Sequence, residues 1–188
     1  MEALLISTGI VALAEIGDKT QLLAIVLAAR YHRPVPIILG ILVATLANHA
    51  MAGVAGAWIS AAIGPTAMRW ILGLSFIAMA AWALVPDKLD DEAAGDRAAA
   101  PRFGVFGTTL VAFFLLEMGD KTQIATVALA AKYASLASVV VGTTLGMMLA
   151  NVPAVLLGEV AARKLPMQHV HRIAAAVFLA LGVTVLLM

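Results

Sequence analysis

Glu15-Ile16-Gly17-Asp18-Lys19-Thr20-Gln21 lies in an otherwise apolar stretch, and Glu117-Met118-Gly119-Asp120-Lys121-Thr122-Gln123 repeats it 102 residues later. Apolar runs flank both strings, Leu4 to Ala14 and Leu22 to Ala29 around the first, Val105 to Leu116 and Ile124 to Ala131 around the second. Ionisable groups at membrane depth are costly, and where they occur they line an ion or substrate path. A duplicated acidic string in such surroundings points to a transported cation.

The surroundings are those of a membrane protein. The 188 residues are 63% hydrophobic and 12% charged, against roughly 25% charged in an average soluble domain, and mean hydropathy is +1.02. Six apolar segments can be drawn, at 3–29, 35–62, 67–86, 104–131, 135–161 and 169–188. Each reaches the roughly 20 residues that a helix needs to cross the hydrocarbon core. The expected fold is all-α and polytopic, with six transmembrane helices in the lipid bilayer. A net charge of +1 gives no basic surface for nucleic acid, and the absence of cysteine removes disulfides, thiolate metal sites and cysteine nucleophiles. Met1-Glu2-Ala3 offers no basic region ahead of the first apolar run, so that run is expected to stay as a helix. Trp58, Trp70, Trp82, Tyr31 and Tyr133 fall near segment ends, where aromatic rings anchor at the bilayer interface.

The 102-residue shift extends beyond the strings. It aligns Leu27-Ala28-Ala29-Arg30-Tyr31 with Leu129-Ala130-Ala131-Lys132-Tyr133, gives ten identities in seventeen positions over 15–31, and pairs Gly40 with Gly142 and Gly56 with Gly158. The chain therefore reads as a three-helix unit duplicated: repeat 1 over 1–86, a cytoplasmic linker over 87–102, and repeat 2 over 103–188. The acidic run Asp90-Asp91-Glu92 in the linker is expected to be a solvated tether. Loop cations set the orientation. Arg30, Arg33, Lys88, Arg97, Arg102, Arg163, Lys164 and Arg172 fall on one side, and Arg69 and Lys132 on the other. The first side is expected in the cytoplasm, with both termini outside it. An odd number of spans per repeat makes the copies run in opposite directions, and inverted repeats hold substrate near the midplane where they meet.

On a continuous helix Glu15 and Asp18 share a face, as do Glu117 and Asp120, and crossing the two helices would converge four carboxylates. Hard divalent cations such as Ca²⁺ and Mn²⁺ take several oxygen ligands, and carboxylates supply both ligands and charge. Thr20, Gln21, Thr122 and Gln123 carry further neutral oxygens that helical geometry turns away, unless the helix unwinds at Gly17 or Gly119. The same glycines are expected to let the motif helices approach closely. Four carboxylates and the two lysines, Lys19 and Lys121, leave −2, which one divalent ion or two protons balance. Metal and protons would then compete for the same oxygens, the physical basis of antiport. Asn48, His49 and Asn151, midway along the second and fifth segments, either complete the coordination shell or hydrogen-bond a neighbouring helix. His32, His169 and His171 sit at segment ends and read as interfacial. Met118, Met147 and Met148 read as packing filler rather than soft-metal ligands.

Four other readings compete with this one. In a channel the acids would form a selectivity ring; in a non-transporting scaffold Lys19 and Lys121 would pair with acids across the interface only to lock helices. An intramembrane aspartyl protease wants Gly-x-Gly-Asp, and here Glu15 and Glu117 replace the first glycine. Transport of an organic cation such as lysine suits four acids with two built-in lysines less well than a compact inorganic ion. No enzymatic activity and no organic cofactor are expected.

Glu-x-Gly-Asp-Lys-Thr, present twice in a six-segment chain of this size, resembles the GDT-type family of Ca²⁺/Mn²⁺:H⁺ exchangers within the lysine-exporter-like superfamily. The resemblance covers essentially the whole chain. It implies that Glu15, Gly17, Asp18, Lys19 and Thr20, with Glu117, Gly119, Asp120, Lys121 and Thr122, form the cation site. The short central loop resembles compact bacterial members, which implies Mn²⁺ efflux across the inner membrane. Carboxylate chemistry alone leaves Mn²⁺ and Ca²⁺ both open.

Overall fold

The computed structural model describes residues 1–85, 104–157 and 167–187, and every regular element in them is helical. Eight helices follow in order: α1 (Glu2–Glu15), α2 (Lys19–Tyr31), α3 (Pro34–Ala62), α4 (Pro65–Ala83), α5 (Gly104–Glu117), α6 (Lys121–Lys132), α7 (Leu136–Leu157) and α8 (Met167–Leu187). The expected linker 87–102, Gly158, and the loop cations Lys88, Arg97, Arg102, Arg163 and Lys164 lie outside the described residues.

Among the described residues four helices are long and apolar enough to cross a membrane: α3, α4, α7 and, within α8, His169–Leu187; Gly104–Glu117 is a shorter apolar helix. The first and fourth apolar segments are not single helices, which corrects the sequence expectation. Each is interrupted at its acidic string. At about 1.5 Å per residue, α1 is roughly 21 Å long and α2 roughly 20 Å, each short of a hydrocarbon core of about 30 Å. The cause of the break is local. Gly17 and Gly119 adopt φ of 83° and 80°, a left-handed conformation that does not continue an α-helix. Asp18 and Asp120, both extended, then start the next helix as its N-cap residue.

Packing follows the 102-residue register. A Cβ at Gly40 on α3 would lie 2.8 Å from Thr109 Cβ and 2.9 Å from the Phe106 carbonyl on α5. A Cβ at Gly142 on α7 would lie 2.9 Å from Ser7 Cβ and 2.6 Å from the Leu4 carbonyl on α1. These are the same contacts moved by 102 at each partner. Phe76 of α4 and Phe178 of α8, another pair related by the shift, stack with ring centroids 6.5 Å apart. Two buried apolar cores result. One joins α1, α4, α6 and α8 around Phe76, Leu129 and Phe178; the other joins α2, α3, α5 and α7 around Leu23, Leu27, Ile41 and Phe113.

The exterior is apolar as well. Leu39, Val43, Leu46, Val54 and Trp58 run along α3 at helical spacing and stay exposed, as do Val141, Leu145 and Leu149 on α7. Large apolar side chains facing outward along helices of spanning length belong in lipid rather than water. Met118, expected to fill a packing gap, is instead 54% exposed, whereas Met147 is fully buried. Met118 sits in the helix break, where the chain no longer turns its side chain toward the bundle.

Candidate functional site

The two breaks meet in the interior. Glu15, Asp18, Glu117 and Asp120 are all buried, and ligand atoms of Glu15, Asp18 and Asp120 lie within 4.8 Å of one another. Two ion pairs cross between the strings. Lys19 Nζ is 2.7 Å from Asp120 Oδ1, and Lys121 Nζ is 2.5 Å from Asp18 Oδ1. The pairing is reciprocal, each lysine reaching the aspartate of the other copy. Its two halves differ in exposure, with the Lys121 side chain 6% exposed and that of Lys19 24%.

Glu117 stands apart from the three-carboxylate group. Its Oε2 accepts a hydrogen bond from Thr122 Oγ1 at 3.0 Å, and the same hydroxyl lies 3.5 Å from Asp120 Oδ2. On the other side Thr20 Oγ1 donates to Glu15 Oε2 at 2.5 Å, while the Thr20 amide donates to Asp18 Oδ2 at 3.4 Å. A continuous helix would have turned Thr20 and Thr122 away from the acids, so their arrival follows from the break. The remaining carboxylate oxygens of the two glutamates, Glu15 Oε1 and Glu117 Oε1, are buried with no hydrogen-bond partner among the described residues.

Gln21 and Gln123 are not aimed at the carboxylates. Their Oε1 atoms accept the amides of Gly17 at 2.9 Å and Gly119 at 2.7 Å, closing each break on itself. Their amide groups tie the breaks to other helices: Gln21 Nε2 donates to the Ala150 carbonyl at 3.0 Å, and Gln123 Nε2 to Asn48 Oδ1 at 3.1 Å. Position 48 and position 150 are related by the repeat shift, so a side chain serves in one half where backbone serves in the other. Asn48 in turn donates to the Phe114 carbonyl at 3.0 Å, pinning α3 to α5. Asn151 turns back to its own helix, donating to the Met147 carbonyl at 3.1 Å. His49 is fully buried, and neither ring nitrogen has a hydrogen-bond partner among the described residues.

Gly119 acts differently from expectation. A Cβ on Gly119 would meet nothing within 4 Å, so this residue serves its backbone conformation and not close helix approach. The signal for the break was present in the sequence as a glycine followed by an aspartate, a good N-cap, and then by Thr and Gln at capping distance.

Charged groups held in this way inside an apolar bundle define a multi-pass membrane protein that handles cations. A model of the divalent cation/proton antiporter GDT1 family matches residues 3–91 and 105–188. The chain belongs to that family, which is a family of transporters and not of enzymes. It is also 51% identical over 180 residues to a Vibrio cholerae serotype O1 protein named "Putative manganese exporter", covering 95% of this chain and 88% of that protein. No solved structure matches.

Proposed function

We propose that the chain exports Mn²⁺ from the cytoplasm in exchange for protons, with Glu15, Asp18, Glu117 and Asp120 taking the ion. The observation that carries this reading is the buried meeting of Glu15, Asp18 and Asp120 within 4.8 Å, drawn from both copies of the string. Carboxylate oxygens at that spacing suit a hard divalent ion. Mn²⁺ is preferred to Ca²⁺ on the name of the Vibrio cholerae relative, and the family supplies the proton as counter-ion.

Lys19 and Lys121 hold the aspartates of opposite copies. An incoming divalent ion competes for those oxygens and for the buried Glu15 Oε1 and Glu117 Oε1. A scaffold that used these charges only to lock helices would leave neither glutamate oxygen without a hydrogen bond, since buried polar atoms in a purely structural network are satisfied. Four carboxylates against two lysines leave −2. One M²⁺ neutralises it, and protons neutralise it when the ion departs, so binding of one excludes the other.

The proposed architecture is six spans in two inverted three-helix repeats, 1–86 and 103–188. α1 with α2 and α5 with α6 each make one interrupted span. The exchange of Gly40–α5 contacts for Gly142–α1 contacts supports it, and broken helices at the repeat interface are a familiar arrangement in secondary transporters. The excess of Arg and Lys in the loops carrying Arg30, Arg33 and Arg172 favours a cytoplasmic location for that side, with both termini across a bacterial inner membrane. Protons entering down their gradient would then drive the metal outward.

The test is flux in proteoliposomes with an internal pH dye. Mn²⁺ entering the lumen is expected to alkalinise it, and Asp18→Asn is expected to elute as a folded protein and carry neither ion. Mn²⁺ movement with no pH signal would remove antiport, and normal flux through Asp18→Asn would remove the site.

A further inference from the structure

The two cations on the sparsely charged side, Arg69 and Lys132, are 63 positions apart in sequence, yet they line one cavity of about 610 Å³. It lies where α3 and α6 end and α4 begins, away from the carboxylate cluster. Ser60, Thr66, Arg69 and Lys132 supply its polar wall, and Leu72 and Val185 lie on its apolar wall. A second hollow of about 350 Å³ shares Ser60 and Lys132 with it and reaches Tyr133. The larger volume falls within the roughly 300–1,000 Å³ usual for small-ligand sites.

Among the described residues neither Arg69 nor Lys132 has a carboxylate within ion-pair distance, and Arg69 Nε is buried with no hydrogen-bond partner. Glu2, at the same end of the bundle, accepts a hydrogen bond from the Tyr133 hydroxyl at 3.5 Å. Partial burial and that carboxylate push the Tyr133 phenol above its ordinary value, so it stays neutral. Lys132 Nζ rests 5.4 Å above the Tyr133 ring. α4 begins behind Gly64 with no side-chain cap; Pro65 has no amide hydrogen and the Met68 amide bonds the Gly64 carbonyl, which leaves the Thr66 and Ala67 amides at its start for an outside acceptor. A buried guanidinium nitrogen, an ammonium and an uncapped helix start around one cavity are the donors that a phosphate group takes.

We propose that this cavity binds the phosphate headgroup of an anionic phospholipid between Arg69 and Lys132. The apolar wall favours a lipid over free phosphate, because Leu72 and Val185 offer nothing to an inorganic ion but can cover a glycerol backbone and the start of an acyl chain. A bound lipid here would bridge α4 of the first repeat and α6 of the second. The site is independent of the transport reading.

The experiment uses the full chain, purified in neutral detergent and stripped of lipid, with native mass spectrometry and thermal unfolding as readouts. The probes are phosphatidylglycerol, phosphatidylcholine and inorganic phosphate. Phosphatidylglycerol is expected to bind as one retained copy at least about tenfold more tightly than phosphatidylcholine and to raise the unfolding temperature, with little effect from inorganic phosphate. Arg69→Gln and Lys132→Gln should each weaken phosphatidylglycerol about tenfold, and Arg69→Lys should weaken it less. Lys132→Gln, at a helix end, carries the comparison if Arg69→Gln does not fold. Equal binding of the two lipids, unchanged binding in the glutamine variants, or protection by inorganic phosphate as strong as by lipid would each overturn the assignment.

Discussion

Lys121→Met and Lys19→Met remove equivalent charges from the two halves of the site, yet their costs should differ. At an effective dielectric of about 20, an ion pair at 2.5 Å has a gross attraction of about 7 kcal/mol and one at 2.7 Å about 6 kcal/mol. Distance therefore does not separate them; exposure does. Lys121 is 6% exposed against a fully buried Asp18, and stranding one partner of a buried pair costs roughly 3–5 kcal/mol. The aspartate stranded by loss of Lys19 is buried too, but Lys19 is 24% exposed, so water reaches the vacated position and screens the loss, and about 2 kcal/mol is expected, between the surface and buried cases. Denaturant unfolding in detergent, first with chelator and then with saturating Mn²⁺, measures both. Each variant makes the carboxylate cluster more negative, so at the same Mn²⁺ concentration the ion should restore more stability to Lys121→Met than to wild type, for which a hundredfold excess over Kd gives roughly 2.7 kcal/mol. A cost below about 1 kcal/mol for Lys121→Met, a reversed order, or an Mn²⁺ gain no larger than wild type's would refute the reasoning.

Gly119→Ala places a side chain at φ 80° with no steric neighbour, so a cost of about 1–2 kcal/mol should come from conformation alone. Displacement of Asp120 should also lower transport, and a variant matching wild type in both unfolding and flux would show that the break does not need glycine. For pH, protons and Mn²⁺ compete for one set of oxygens, so apparent Mn²⁺ affinity should weaken as pH falls and strengthen as it rises. Calorimetric titration across pH 5.5 to about 8 checks the sign, and proton release on binding should accompany it.

Much of the design was legible in the residues. The shift that aligned Gly40 with Gly142 in sequence returns in their packing, because a duplicated unit must duplicate its contacts. The acids could be expected to meet because isolated charges in lipid have no other stable partner. The break was not read as the fold. Hydropathy sums over a window, and the apolar runs on both sides of Gly17 outvote a single residue with positive φ. The hydroxyl contacts of Thr20 and Thr122 come through the unwinding at Gly17 and Gly119 that the sequence left open, whereas the capping role of Gln21 and Gln123 was not expected. Missing the break also put Met118 on the wrong surface. His49 was expected either to meet the site or to bond a neighbouring helix; it is buried with neither nitrogen hydrogen-bonded among the described residues. Sequence patterns place a polar residue at a depth but do not aim its ring.

Interrupting α1 and α5 has one more effect. The last turn of each ends beside the acids, and the carbonyls released there from helical bonding include more than those of Glu15 and Glu117, which accept the Asp18 and Asp120 amides at 3.0 and 3.1 Å. Such peptide oxygens are neutral, hard donors of the sort that half-helix ends lend to ions in secondary transporters. No side-chain substitution deletes them. Replacing one carboxylate thus leaves these peptide oxygens where they are, and what the mutation takes away is charge.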